Sequence, residues 1–220
     1  MRRRARLLLL VGSVLVVAAP GAGDASAPQP AFYVVRPDPR LCPSPLCGGY
    51  WAALANHART TCGDGLSRAP RCYVARVVDG TGRSLARSVP NEALVAGAIE
   101  PWSPPDFFKV DQLVVVAAYE PVGAPVGGAF LRVRDLGIRC VRAPCYHLRV
   151  DRLNRSGQRL VSSVDLVSTA RPTQSQLSRA ESAMRTAGGL LVQGTVVDPS
   201  DAGTILQASR FYLRVPQPRA

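Results

Sequence analysis

FYVVRPDPRLCPSPLCGGYWAALAN, residues 32–56, has a counterpart in FLRVRDLGIRCVRAPCYHLRVDRLN, residues 130–154. In both stretches Phe (Phe32, Phe130) stands ten residues before a cysteine, a C-x4-C pair follows (Cys42/Cys47, Cys140/Cys145), and Asn (Asn56, Asn154) comes nine residues after the second cysteine. The agreement continues downstream. LVAGAIEP from Leu94 matches LVQGTVVDP from Leu191, and residues 113–119 match residues 206–212. Long-range agreement of this kind reads as two divergent copies of one unit.

Outside these stretches the chain opens with a targeting signature. Arg2, Arg3, Arg4 and Arg6 precede an apolar run over residues 7–19, and small residues follow to Ala27. That order describes a secretory signal peptide over residues 1–27, too short in its apolar part for a relaxed membrane span. The chain then divides into a first β-rich unit over 28–121, a Pro/Gly-rich linker over 122–129 and a second β-rich unit over 130–220. The expected location is secreted, extracellular or periplasmic. The 220-residue chain has 27 basic and 15 acidic residues and a net charge of +12, with Lys109 its one lysine. Such a surplus draws a protein toward anionic surfaces.

All six cysteines lie beyond the targeting segment, and an even number in an exported chain reads as disulfides. Local pairing is the simplest scheme: Cys42–Cys47, Cys62–Cys72 and Cys140–Cys145. Zinc prefers C-x2-C spacing or paired histidines, and the chain has only His57 and His147. No metal or cofactor is implied.

Short runs of alternating or continuous apolar residues predict strands at 32–36, 50–54, 73–78, 94–100 and 113–119. In the second unit they fall at 131–133, 146–153, 160–167, 189–197 and 205–215. Residues 173–187 form the one credible helix, with Thr173 or Ser175 as its cap and Gly188-Gly189 as its stop. Three strands, a helix and two strands is the element order of a small OB-like barrel. The expected fold is therefore mainly β, with two homologous small barrels or a sandwich, one helix in the second unit, and disulfides. In the first unit only residues 89–94 occupy the helix's place.

The run from Tyr33 to Cys42, the Cys47-Gly-Gly-Tyr-Trp51 segment, Cys72-Tyr-Val-Ala75 and the Cys140/Cys145 pair resemble a family of exported bacterial proteins carrying a domain of unknown function. The resemblance implies an envelope or secreted location and no known activity, so no catalytic residue carries over.

The chain has no G-x-S-x-G elbow and no H-E-x-x-H motif. An enzyme would need carboxylates such as Asp79 and Asp135 to converge with a histidine. The best functional lead is basic: Arg132, Arg134, Arg139, Arg142, Arg149, Arg152, Arg155 and Arg159 lie between Phe130 and Leu160 against only Asp135 and Asp151, and Arg132 and Arg134 share a strand face. Tyr50 and Trp51, beside Gly48-Gly49, are a second candidate binding element. The leading expectation is a non-enzymatic binding or structural module whose partner is an anionic envelope polymer or another protein. Nucleic acid is disfavoured because few stacking aromatics accompany the arginines. A rigid Cys42–Cys47 loop docking in a partner's groove is the inhibitor alternative.

Overall fold

A computed structural model describes residues 30–86, 89–105, 107–199 and 203–216. The expected signal peptide lies outside the described residues. The strands are β1 (Ala31–Pro37), β2 (Tyr50–Leu54), β3 (Thr60–Thr61), β4 (Arg68–Ala69), β5 (Cys72–Val74), β6 (Arg76–Asp79), β7 (Ala93–Trp102) and β8 (Val110–Gly123). After them come β9 (Ala129–Asp135), β10 (Leu148–Arg152), β11 (Gln158–Val161), β12 (Ser163–Asp165), helix α1 (Gln174–Met184), β13 (Leu190–Val197) and β14 (Ile205–Arg214). The protein is mainly β.

The pairings close two small circuits rather than a sandwich. In the first, β1 lies antiparallel between β2 and β7, β7 pairs with β8, β2 pairs with β5, and β6 runs parallel to β8. In the second, β9 lies between β10 and β13, β13 pairs with β14, β10 pairs with β11, and β12 runs parallel to β14. The expected single strand at 73–78 is interrupted where the Ala75 N–H turns to the Asp111 carbonyl. The one at 160–167 is interrupted where the Ser162 N–H turns to the Thr204 carbonyl. Each break lets one strand leave one neighbour and join another, which closes the barrel. Both circuits bulge at a glycine, between Ala96 and Gly97 and between Gln193 and Gly194. A Cβ at either glycine would fall against a carbonyl oxygen of the facing strand, that of Val114 or of Gln207.

The two barrels meet at an antiparallel seam, Arg210–Arg214 of β14 against Tyr119–Gly123 of β8. At this seam β8 runs on through Pro121 to Gly123 because β14 supplies its partners, and residues 124–128 connect it to β9. Helix α1 is shorter than expected but starts as expected, with Thr173 and Gln176 forming a reciprocal capping box. Among the described residues, the corresponding place in the first barrel holds loop and turn. The three disulfides join Cys42–Cys47, Cys62–Cys72 and Cys140–Cys145.

Three apolar clusters follow from strand alternation. Val35, Val74, Val77, Val95 and Leu113 fill the first barrel. Val133, Val150, Leu190, Val192, Leu206 and Phe211 fill the second. The third lies between the barrels, where the outward residues Phe32, Leu94, Leu153, Leu191 and Tyr212 meet.

A reciprocal clamp fixes this junction. Asn154 of the second half accepts from the Phe32 N–H at 2.8 Å and donates to the Phe32 and Ala55 carbonyls at 2.7 and 3.0 Å. Asn56 of the first half accepts from the Phe130 N–H at 2.8 Å and donates to the Phe130 and Leu153 carbonyls at 2.7 and 2.9 Å. Both asparagines sit at left-handed backbone angles, φ 62° and 56°, where Asn is tolerated better than most residues.

Candidate functional site

A groove of about 830 Å³ opens beside this clamp. Strand pairing builds its basic wall. On β9 and β10, Leu131, Val133, Leu148 and Val150 point into the barrel, so Arg132, Arg134, Arg149 and Asp151 point out. The register sets Arg134 opposite Arg149 and Arg132 opposite Asp151. Arg152 and Arg155 extend the wall into the β10–β11 turn, and Phe32 and His57 of the first half complete it.

Among the described residues, Asp151 is the one carboxylate lining the groove, and it is already engaged. Arg134 Nη2 and Arg149 Nε each donate to it at 2.8 Å. Burial would raise the Asp151 carboxyl, but the hydrogen bonds and charges of Arg149 and Arg134 outweigh burial and hold it below the usual carboxylate range. Arg132 faces Asp151 without bonding it and lays its guanidinium over the Phe32 ring, 5.3 Å from the centroid. Among the described residues, the Nε atoms of Arg132 and Arg134 are buried and have no hydrogen-bond partner. His57 donates through Nε2 to the Asn154 carbonyl at 2.9 Å, which holds its ring at the groove edge.

The equivalent outward positions in the first barrel are Val34, Arg36, Trp51 and Ala53; Arg36 is the one arginine among them and pairs with Glu92 at 2.8 Å, so the arginine cluster belongs to the second half. Tyr50 turns inward, its hydroxyl donating to the Ala86 carbonyl at 2.7 Å, and burial raises its pKa. Trp51 turns outward against Tyr73 with ring centroids 5.5 Å apart, and its Nε1 donates to Asp38. The guanidinium groups of Arg40 and Arg71 lie 5.0 and 5.2 Å from the Trp51 ring. Arg40 forks onto Asp38, and Tyr73 donates to the Pro45 carbonyl, so Trp51 anchors the Cys42–Cys47 loop on the barrel wall. The structure thus brings Arg132, Arg134 and Arg149 together and leaves Tyr50 and Trp51 on the other barrel.

Asp79 holds a turn through Thr81 and Arg83, and Asp135 caps one through the Gly137 N–H. His147 bonds the Cys145 carbonyl. Among the described residues no group of three or more His, Cys, Asp or Glu side chains could hold a metal ion. No described helix is long and apolar enough to cross a membrane.

Sequence reasoning missed the share of the first half in the groove. Phe32 and His57 are distant in sequence from the arginines. The only signal was the recurrence of Phe and Asn at fixed distances from the cysteines.

Fold and site together define a disulfide-bonded β protein with an arginine-lined groove at the junction of two small barrels. The chain belongs to the family of the Domain of unknown function (DUF6748), whose model matches residues 31–218. Neither the curated proteins nor the solved structures include a match to it.

Proposed function

We propose that the protein is an exported, non-enzymatic binding module, built of two copies of one barrel unit, that holds an anionic envelope polymer in the inter-barrel groove. One observation carries the reading: Arg132, Arg134, Arg149, Arg152 and Arg155 converge on a groove whose single carboxylate, Asp151, is bonded to two of them. The shared OB-like strand order supports it by analogy, since such barrels commonly bind polymers across their outer strands. The basic n-region and apolar run of residues 1–27, with three disulfides in the barrels, support export.

The test is binding of mature protein to a panel of anionic glycans, anionic lipids and oligonucleotides at two salt concentrations. Selective binding that weakens with salt, and that falls roughly tenfold or more in Arg132→Ala and in Arg134→Ala, supports the module. Binding no better than that of a charge-matched control protein refutes it.

A second reading rests on the Cys42–Cys47 loop. It is held by Arg40, Asp38, Trp51 and Tyr73, yet Leu41 is fully exposed. A preorganised loop flanked by a bare apolar residue suits insertion into a partner protein's groove. Leu41→Asp abolishing capture of a partner while leaving the melting curve intact would favour this reading over the groove.

A further inference from the structure

A second cavity lies next to the arginine groove. Its volume is about 560 Å³, and it is the mouth of the second barrel. Ala129 and Leu131 of β9, Val150 of β10 and Val196 of β13 form its walls. Leu131 and Val150 belong to the barrel core, so the cavity reaches the apolar interior. At Gly194 the bulge leaves the wall without a side chain. The rim is polar and basic, with Arg152, Arg159 and Gln158. Arg152, Ser156, Gly157 and Gln158 line both cavities, which therefore lie on the two sides of the β10–β11 turn. One side of that turn is cationic and the other is apolar.

We propose that the ligand of this site is an amphiphile, with a phosphate-class anionic head against Arg132, Arg134 and Arg155 and an alkyl chain in the mouth of the second barrel. The proposal rests on the anion-binding reading of the groove and adds the chemistry of the rest of the ligand. A purely hydrophilic polyanion would leave the mouth unused. A neutral lipid would leave five guanidinium groups facing one carboxylate. A single-chain phosphate satisfies both halves of the site. The same head and chain could come from a free lipid or from an anion anchored in a bilayer.

The experiment is calorimetric titration of the mature protein with ethyl, hexyl and decyl phosphate, each below its micellar concentration. Affinity is expected to rise with chain length, by up to roughly 4-fold for each methylene that is fully buried. Thr195→Trp, at an exposed position on the rim, should abolish the gain with length and leave ethyl phosphate binding unchanged. Arg159→Trp, exposed on the β11 side of the mouth and outside the groove, plugs it from the opposite side and serves if the first variant fails to fold by circular dichroism. Arg132→Ala/Arg134→Ala should weaken all three ligands alike.

Equal affinity across the series overturns the amphiphile while leaving the anion reading standing. A length dependence that survives both tryptophan variants also overturns it. Failure of every phosphate and of the anionic polymers to bind overturns the groove itself. Extraction of a fluorescent monoacyl glycerophosphate from vesicles would support a free lipid in the site. Sedimentation with phosphatidate vesicles without extraction, sensitive to Thr195→Trp, would support the same chemistry presented by a bilayer.

Discussion

Replacing Asn154 with Ala should be among the most damaging changes to a partly exposed side chain in this protein. The substitution removes three hydrogen bonds, to the Phe32 N–H, the Phe32 carbonyl and the Ala55 carbonyl. At about 1 kcal/mol each they sum to roughly 3 kcal/mol. The Phe32 carbonyl keeps the Ala55 N–H as a partner, so the loss falls mainly on the Phe32 N–H and the Ala55 carbonyl. Alanine must also hold the left-handed angle, at a cost of about 1 kcal/mol more. The expected loss is about 4 kcal/mol, or a fall in Tm of roughly 8–16 °C for a chain of this size. Asn154→Gly loses the same bonds without the backbone penalty, so it should be about 1 kcal/mol milder. Because Asn56 makes the mirror set of bonds, Asn56→Ala should match Asn154→Ala within about 1 kcal/mol. Urea unfolding with disulfides intact, followed by tryptophan fluorescence and circular dichroism, measures all of these. A loss below about 1 kcal/mol in either alanine variant, or a large difference between them, would refute the clamp.

Other consequences follow from particular contacts. Arg210 is almost fully buried and is paired to Glu92, which also holds Arg36. Glu92→Gln should therefore cost about 3–5 kcal/mol by leaving an uncompensated buried charge, and adding Arg210→Met should recover much of it, as read by urea midpoints. Gly97→Ala and Gly194→Ala should each cost more than about 2 kcal/mol, because the new Cβ meets a carbonyl oxygen of the neighbouring strand; a thermal melt of each variant tests this. Asp151 titrates below its unfolded value of about 3.9. Its stabilising contribution is thus present above about pH 4 and lost as pH falls through the folded value. Protonation also releases Arg134 and Arg149, so affinity for a sulfated glycan, whose own charge does not change over this range, should rise as pH falls below about 4. Asp151→Asn should show the raised affinity already at neutral pH, and an unchanged affinity in that variant would count against the groove.

Much of the fold is legible along the chain. Alternation at Leu148, Val150, Arg149 and Asp151 predicts which face of β10 enters a core, and Thr173 or Ser175 as a cap predicts where the helix begins; the structure uses Thr173. The twin cysteine loops and the glycines at 97 and 194 predict matching strand arrangements in the two halves. The long reach of β8 was not legible, because Pro121 reads locally as a strand breaker. Only the partner strand β14, distant in sequence, gives residues 119–123 a ladder to join.

The sequence by itself determined the strands, the helix and its cap, and which arginines leave the barrel core, because these depend on near neighbours and a two-residue period. Only the tertiary structure decided what the outward faces meet. Val34 and Arg132 hold equivalent positions on β1 and β9, yet one packs at the junction while the other lines a groove beside Phe32. Periodicity specifies that a side chain points away from its own core. Whether it then meets apolar surface, water or an anion depends on residues more than a hundred positions away, such as Phe32 and Asn154, and no local pattern encodes that distance.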